Sequence, residues 1–118
     1  MNSNIFEDVK KFMVASDQTV NEDNGNQSEL YLKLIDEEYD ELFVAKDDID
    51  DLDACGDLIW VIIGYCYSKG WDIEGALKEI TRSNMSKIDK ETGKVLKRED
   101  GKILKPESYS PPNLESFL

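Results

Sequence analysis

Residues 34–67 read LIDEEYDELFVAKDDIDDLDACGDLIWVIIGYCY, two helical runs joined at an acidic break. The first carries Glu37, Glu38 and Glu41, and the second carries Asp50, Asp53 and Asp57. Spacings of three and four put each set on one helical face. Asp47 or Asp48 can cap the second helix, whose first turns are acidic and whose remainder, LIWVIIGYCY, is apolar on every side until Lys69 and Gly70 stop it. A helix apolar all round belongs at the centre of a bundle. If the two helices form an antiparallel hairpin turning near Asp47, residues whose numbers total about 94 or 95 lie level. Glu41 then faces Asp53, and Glu38 faces Asp57.

Working outward, Ile5, Phe6, Val9, Phe12 and Met13 recur at helical spacing and predict a short first helix, followed by a polar loop from Ser16 to Ser28. Asn26 or Ser28 can cap the second helix, with Leu30, Leu34, Leu42 and Ala45 as its buried stripe and an end near Lys46. Asp72 can cap a fourth helix reaching about Ser86, with Ile73, Ala76, Leu77 and Ile80 inward. Beyond it GKVLKRED is followed at once by the near-repeat GKILKPES, with Asp100 and Gly101 at the junction, a hairpin signal. Tyr109, Pro111 and Pro112 lead into an extended tail. The expected fold is all-α, a four- to five-helix bundle with a C-terminal β-hairpin and extended tail, in a single domain over residues 1–118 with its helical core in 1–87.

Composition narrows the chemistry. The chain has 118 residues, a net charge of −12 and no histidine. An acidic surface excludes nucleic-acid polymers as partners, because phosphate neutralisation needs basic residues. Without histidine, Ser/His/Asp and Cys/His nucleophiles and most zinc sites are excluded. Cys55 and Cys66, about 16 Å apart along one helix, cannot bridge and read as buried thiols of a reducing compartment. The longest apolar run, Leu58 to Tyr67, is too short for a bilayer span, and the N-terminus shows no secretory pattern, so a cytoplasmic protein is expected. Residues 1–57 hold 17 acids and 4 bases, whereas residues 78–105 hold 9 bases and 5 acids. That asymmetry suits carboxylates that hold a cation and lysines that hold phosphate oxygens.

Four converging carboxylates repel one another unless a cation sits among them. An oxygen-only ligand set selects a hard ion, Mg²⁺ or Mn²⁺, ahead of zinc or copper. The bland alternative is a solvated acidic face with first-turn aspartates that favour the helix dipole, which accounts for Asp47, Asp48 and Asp51. Trp60 and Trp71 are assigned to the core or a subunit interface.

The EExxE of Glu37, Glu38 and Glu41, the acidic pair ending in Asp57 and the following apolar helix resemble the all-α nucleoside triphosphate pyrophosphohydrolases. This MazG-like family includes dimeric dUTPases and phosphoribosyl-ATP pyrophosphatases. The resemblance extends through SNMSK, Ser83 to Lys87, into GKILKPESYSPPNL, so it covers residues 28–114. It implies hydrolysis of a nucleoside triphosphate to monophosphate and pyrophosphate, with Mg²⁺ (Mn²⁺ as an alternative) held by Glu38, Glu41, Asp53 and Asp57. Glu37 is the candidate acceptor of the water's proton, with Glu38 also in the catalytic set. The family's Asn-x-x-Lys is met by Asn84, a base or ribose contact, and Lys87, a phosphate contact. Arg82, Lys102 and Lys105 are further phosphate candidates, and Tyr109 a base-stacking candidate, on charge and aromaticity alone. The family's second motif is usually ExxD, whereas the position three before Asp57 is Ala54 and the nearest acid is Asp53, four before, which implies a weaker or shifted second metal. The resemblance also implies a homodimer or homotetramer, in agreement with the apolar circumference of the third helix. The contrasting expectation is a non-catalytic nucleotide or metal-binding regulator, or an acidic protein that mimics DNA.

Overall fold

The computed structural model describes residues 4–118. Among these residues the chain forms four α-helices, α1 (Ile5–Ala15), α2 (Gly25–Phe43), α3 (Asp48–Ser68) and α4 (Ile73–Met85), and a short 3-10 turn, Glu115–Phe117. There is no β-sheet among the described residues, only isolated bridges, so the fold is all-α. Two compact units are present, Met1–Ile73 and Glu74–Leu118. The division falls before the body of α4, so α4 groups with the C-terminal segment, whereas the sequence reading placed it in a helical core ending at residue 87.

In the first unit, α3 packs along α2 and against α1. Asn4 caps α1 by accepting from the Glu7 amide at 2.9 Å, and Val9 and Met13, one turn apart, are wholly buried. The cap of α2 is Asn24, earlier than expected at Asn26 or Ser28. Its Oδ1 accepts from the Gln27 amide at 3.1 Å, its Nδ2 donates to Thr19 Oγ1, and its own amide donates to the Ser68 carbonyl at 2.8 Å. The last of these is a tertiary bond, which local sequence cannot rank against the two rival caps. α2 ends at Phe43, short of Lys46.

The inner stripe of α2 is correspondingly different. Gln27, Ser28 and Tyr31 are buried, with Leu34 and Ile35 half-buried, while Leu30 is 47% exposed. A buried glutamine costs little when its amide is saturated. Gln27 accepts from the Thr19 amide and donates to the Thr19 carbonyl at 2.7 Å and to Ser68 Oγ at 2.8 Å.

Asp47 caps α3, accepting from the Asp50 amide at 2.8 Å. Gln27 meets Ser68 and Tyr31 lies against Gly64, both pairs totalling 95 in residue number, so the hairpin has the register read from the sequence. The approach at Gly64 is close: a Cβ there would sit 2.3 Å from Tyr31 Cε1. Trp60 packs edge-on against Phe12 with ring centres 5.7 Å apart, and Trp71 does the same against Tyr65 at 5.9 Å. Cys66 is buried, and burial pushes its thiol up from the ordinary value. Cys55 is only half-buried, on the flank of α3, contrary to the expectation of a core thiol. Lys69 ends α3, and Gly70 follows with φ +80°, a left-handed backbone that suits glycine.

In the second unit the expected hairpin is reduced to two successive turns. Ile88 bridges Val95 around Gly93, and Lys97 bridges Ile103 around Gly101. The Arg98 amide donates to Lys102 O, and that of Leu104 to Leu96 O, each at 2.8 Å, but no strand develops. Leu96, Ile103 and Leu104 are exposed, so the arms have no buried apolar face to extend them. The near-repeat has a local cause: each copy opens on a glycine with positive φ, +70° at Gly93 and +90° at Gly101.

Candidate active site

Glu38 continues the inner stripe of α2, seven residues beyond Tyr31 and four beyond Leu34, so helical geometry carries a carboxylate into a line otherwise used for packing. It is half-buried, and its Oε2 is shielded from water with no hydrogen-bond partner. Burial pushes its pKa up to about 7, aided by the neighbouring carboxyl of Glu41 and by the charges of Asp57 and Asp53.

The four acids named from the sequence therefore act on one another across the α2–α3 hairpin. They do not all point inward, as their spacing suggested: Glu41, Asp53 and Asp57 are exposed, and only Glu38 is held between the helices. Glu37 stands on the exposed flank and is absent from the groups that act on Glu38. The position three before Asp57 explains the difference. Ala54 is 2% exposed, so the family's usual acid position faces the helix pair, whereas Asp53 lies one residue around, on the rim. Asp53 lines a cavity of about 250 Å³ with Glu41, Asp50 and Lys46 near the hairpin turn. Asp50 is the member of this rim that did not enter the candidate set, although its spacing to Asp53 and Asp57 already placed it there.

Among the described residues the ion pairs are Lys10–Glu7, Arg82–Glu79 and Arg98–Asp100, so Glu38, Glu41, Asp53 and Asp57 make no direct ion pair, although Lys46 lines the cavity of Glu41 and Asp53. The donor set is all oxygen and carries an orphaned, shielded carboxylate atom, which fits a hard divalent cation. Among these residues, however, no three acids are drawn together closely enough to form a closed ligand cage. Rotation of the exposed Glu41, Asp53 and Asp57 side chains would be needed to complete one.

The remaining candidates belong to the second unit. Lys87 Nζ donates to Asn84 Oδ1 at 3.1 Å, so the two residues of the Asn-x-x-Lys pattern contact each other. The Arg82 guanidinium donates to Glu79 at 2.7 and 2.9 Å and to the Pro111 carbonyl at 3.1 Å, and so braces the tail. Lys102 is exposed in the Gly101 turn. Lys87 and Lys105 both place their ammonium groups over the Tyr109 ring, 5.7 and 5.1 Å from its centre. Glu79, overlooked in the sequence, holds both Arg82 and the Asn113 amide; its i,i+3 spacing to Arg82 was the available signal.

The sequence model of the family described as phosphoribosyl-ATP pyrophosphohydrolase matches residues 6–84, which spans α1 to the last turn of α4 and takes in every candidate acid. The chain belongs to the phosphoribosyl-ATP pyrophosphohydrolase family. No curated protein matches the chain. Membership in the phosphoribosyl-ATP pyrophosphohydrolase family supports cleavage of a nucleotide phosphoanhydride bond as the class of activity. The matched span includes Asn84 but ends before Lys87, Lys102, Lys105 and Tyr109. Among the described residues, no helix is long and apolar enough to cross a membrane.

Proposed function

We propose that this chain hydrolyses a nucleoside triphosphate between its α and β phosphorus atoms, releasing nucleoside monophosphate and pyrophosphate, with Mg²⁺ or Mn²⁺ held by Glu38, Glu41, Asp57 and Asp53. The observation that carries the reading is Glu38, a half-buried carboxylate with an orphaned oxygen among three other acids and in no ion pair, in a chain of a pyrophosphohydrolase family. When bound, the cation supplies neutralisation of phosphate oxygens and activation of water without any histidine. Glu38 anchors the set from the inner stripe, and Glu41, Asp53 and Asp57 close from the rim. Glu37 is the proposed acceptor of the proton that water loses on attack. Asn84 is assigned to base or ribose, and Lys87, Lys102 and Lys105 to phosphate oxygens.

The assembly is proposed to be a homodimer or homotetramer. Ile49, Leu52 and Ile59 of α3 and Tyr39 and Phe43 of α2 are between 54% and 80% exposed, more apolar surface than a stable monomer ordinarily shows. The buried Ala54 favours a second reading, a nucleotide-binding regulator that keeps the fold without turnover, since the fourth acid stands off the line of Glu38.

The test is pyrophosphate release from a panel of nucleoside triphosphates with Mg²⁺ or Mn²⁺, with excess chelator and with Glu41→Gln. Metal-dependent monophosphate that disappears in the variant is the expected result and names the base and sugar. Metal-dependent stabilisation with no turnover would select the regulator; the absence of any metal effect would select an acidic interaction protein.

A further inference from the structure

The chain beyond the family match is fastened to α4 by an ordered set of bonds. The Glu79 carboxylate holds Arg82 through two hydrogen bonds and also accepts from the Asn113 amide at 2.7 Å. Ser86 Oγ accepts from the Ser110 amide at 2.8 Å, and Ser108 Oγ donates to the Ser86 carbonyl at 2.9 Å. Tyr109 is thus pinned on both sides, and its own amide turns back to the Pro106 carbonyl at 3.0 Å. Pro111 and Pro112 further restrict the strap.

Two ammonium groups, those of Lys87 and Lys105, stand 5.7 and 5.1 Å from the centre of the pinned ring. Two like charges repel, and the negative face of an aromatic ring offsets that repulsion. Gathered in this way, the lysines lose part of the freedom that two long side chains otherwise surrender when they grip an anion.

We propose that Tyr109 is a positioning residue, which holds Lys87 and Lys105 together as one polyphosphate contact, with Ser108 to Asn113 as the strap that fixes it. This rests on the triphosphate reading for its biological ligand, but not for its test. Inorganic pyrophosphate binding in the presence of Mg²⁺, read by titration calorimetry, needs no turnover. Tyr109→Leu is expected to weaken pyrophosphate binding about fivefold, the size of one exposed cation–π pair. It should raise KM for the hydrolysed nucleotide to a similar degree while kcat holds, and helical circular dichroism should be unchanged.

Tyr109→Phe, which keeps the ring, should bind pyrophosphate within about twofold of the wild type, since the ring face and not the hydroxyl holds the cations. Lys105→Met should match Tyr109→Leu. A Leu variant that binds like the wild type, a Phe variant as weak as the Leu variant, or a wild type that does not bind pyrophosphate would each overturn the assignment. If no nucleotide is turned over, the triphosphatase reading fails on its own, and the calorimetric comparison still decides this one.

Discussion

Glu38 shows how one residue joins folding to function. Its carboxyl has an ordinary value of 4.5 and ionises near 7 in the fold, so the folded chain binds the proton more tightly than the unfolded chain. Its contribution to stability is therefore fully present below pH 4.5, declines as pH rises, and becomes a penalty above about pH 7. A thermal scan without divalent ions should show Glu38→Gln melting a few degrees above the wild type at pH 8, with the advantage gone at pH 4.5. Added Mg²⁺ should raise the wild type and leave the variant unmoved; a variant no more stable than the wild type at pH 8 would sink this account. Gly64 makes the opposite point, that absence of a side chain can be the requirement. Gly64→Ala drives a Cβ into the Tyr31 ring and should cost about 1–3 kcal/mol in denaturant unfolding. Part of that loss should return in the double variant with Tyr31→Leu, because contacting residues couple.

At the scale of elements, the α2–α3 hairpin and the α4 strap use charge in contrasting ways. In the hairpin, acids face acids without an ion pair among Glu38, Glu41, Asp53 and Asp57; in the strap, Arg82 and the Asn113 amide hold the Glu79 carboxyl down at about 2. A depressed carboxyl contributes above its ordinary 4.5 and loses that contribution as pH falls toward about 2. The strap should therefore stay fastened through mildly acidic pH. Glu79→Gln removes the charge while preserving shape, and chymotrypsin cleavage after Tyr109 should quicken in that variant at neutral pH. Unchanged cleavage would mean that the serine contacts hold the tail without Glu79.

The whole molecule is small, strongly acidic and generously apolar on the outer sides of its central hairpin. Both traits point outward from the single chain. Sedimentation should give a species larger than the monomer, and Leu52→Glu, at a position 74% exposed, should shift it toward the monomer without loss of helix content. A wild type that sediments as a monomer would remove the homo-oligomer proposal. Mg²⁺ at saturating concentration should raise Tm in the manner of any ligand that binds only the folded state, and Glu41→Gln should blunt that rise.

Periodicity alone determined the four helices, the apolar centre in α3 and the level pairing of α2 with α3, because side chains three and four apart share a face whatever surrounds them. The acids were legible for the same reason, and Glu38 could be singled out with Glu41 and Asp57. The depth of each acid was not: a helical face spans a wide arc, and the packing of α2 on α3, close at Tyr31 and Gly64, leaves Glu38 half-buried and Asp53 on the rim. Asn24 displaced its two rivals as the cap of α2 through a bond to Ser68, 44 residues away. Arg82 was tied to the tail by way of Glu79 and Pro111, and the hairpin shrank to two turns for want of a buried face. Local spacing thus fixed what recurs every turn of helix. The tertiary structure alone decided which polar groups find distant partners, because such partners are brought within hydrogen-bond reach only by the folded backbone.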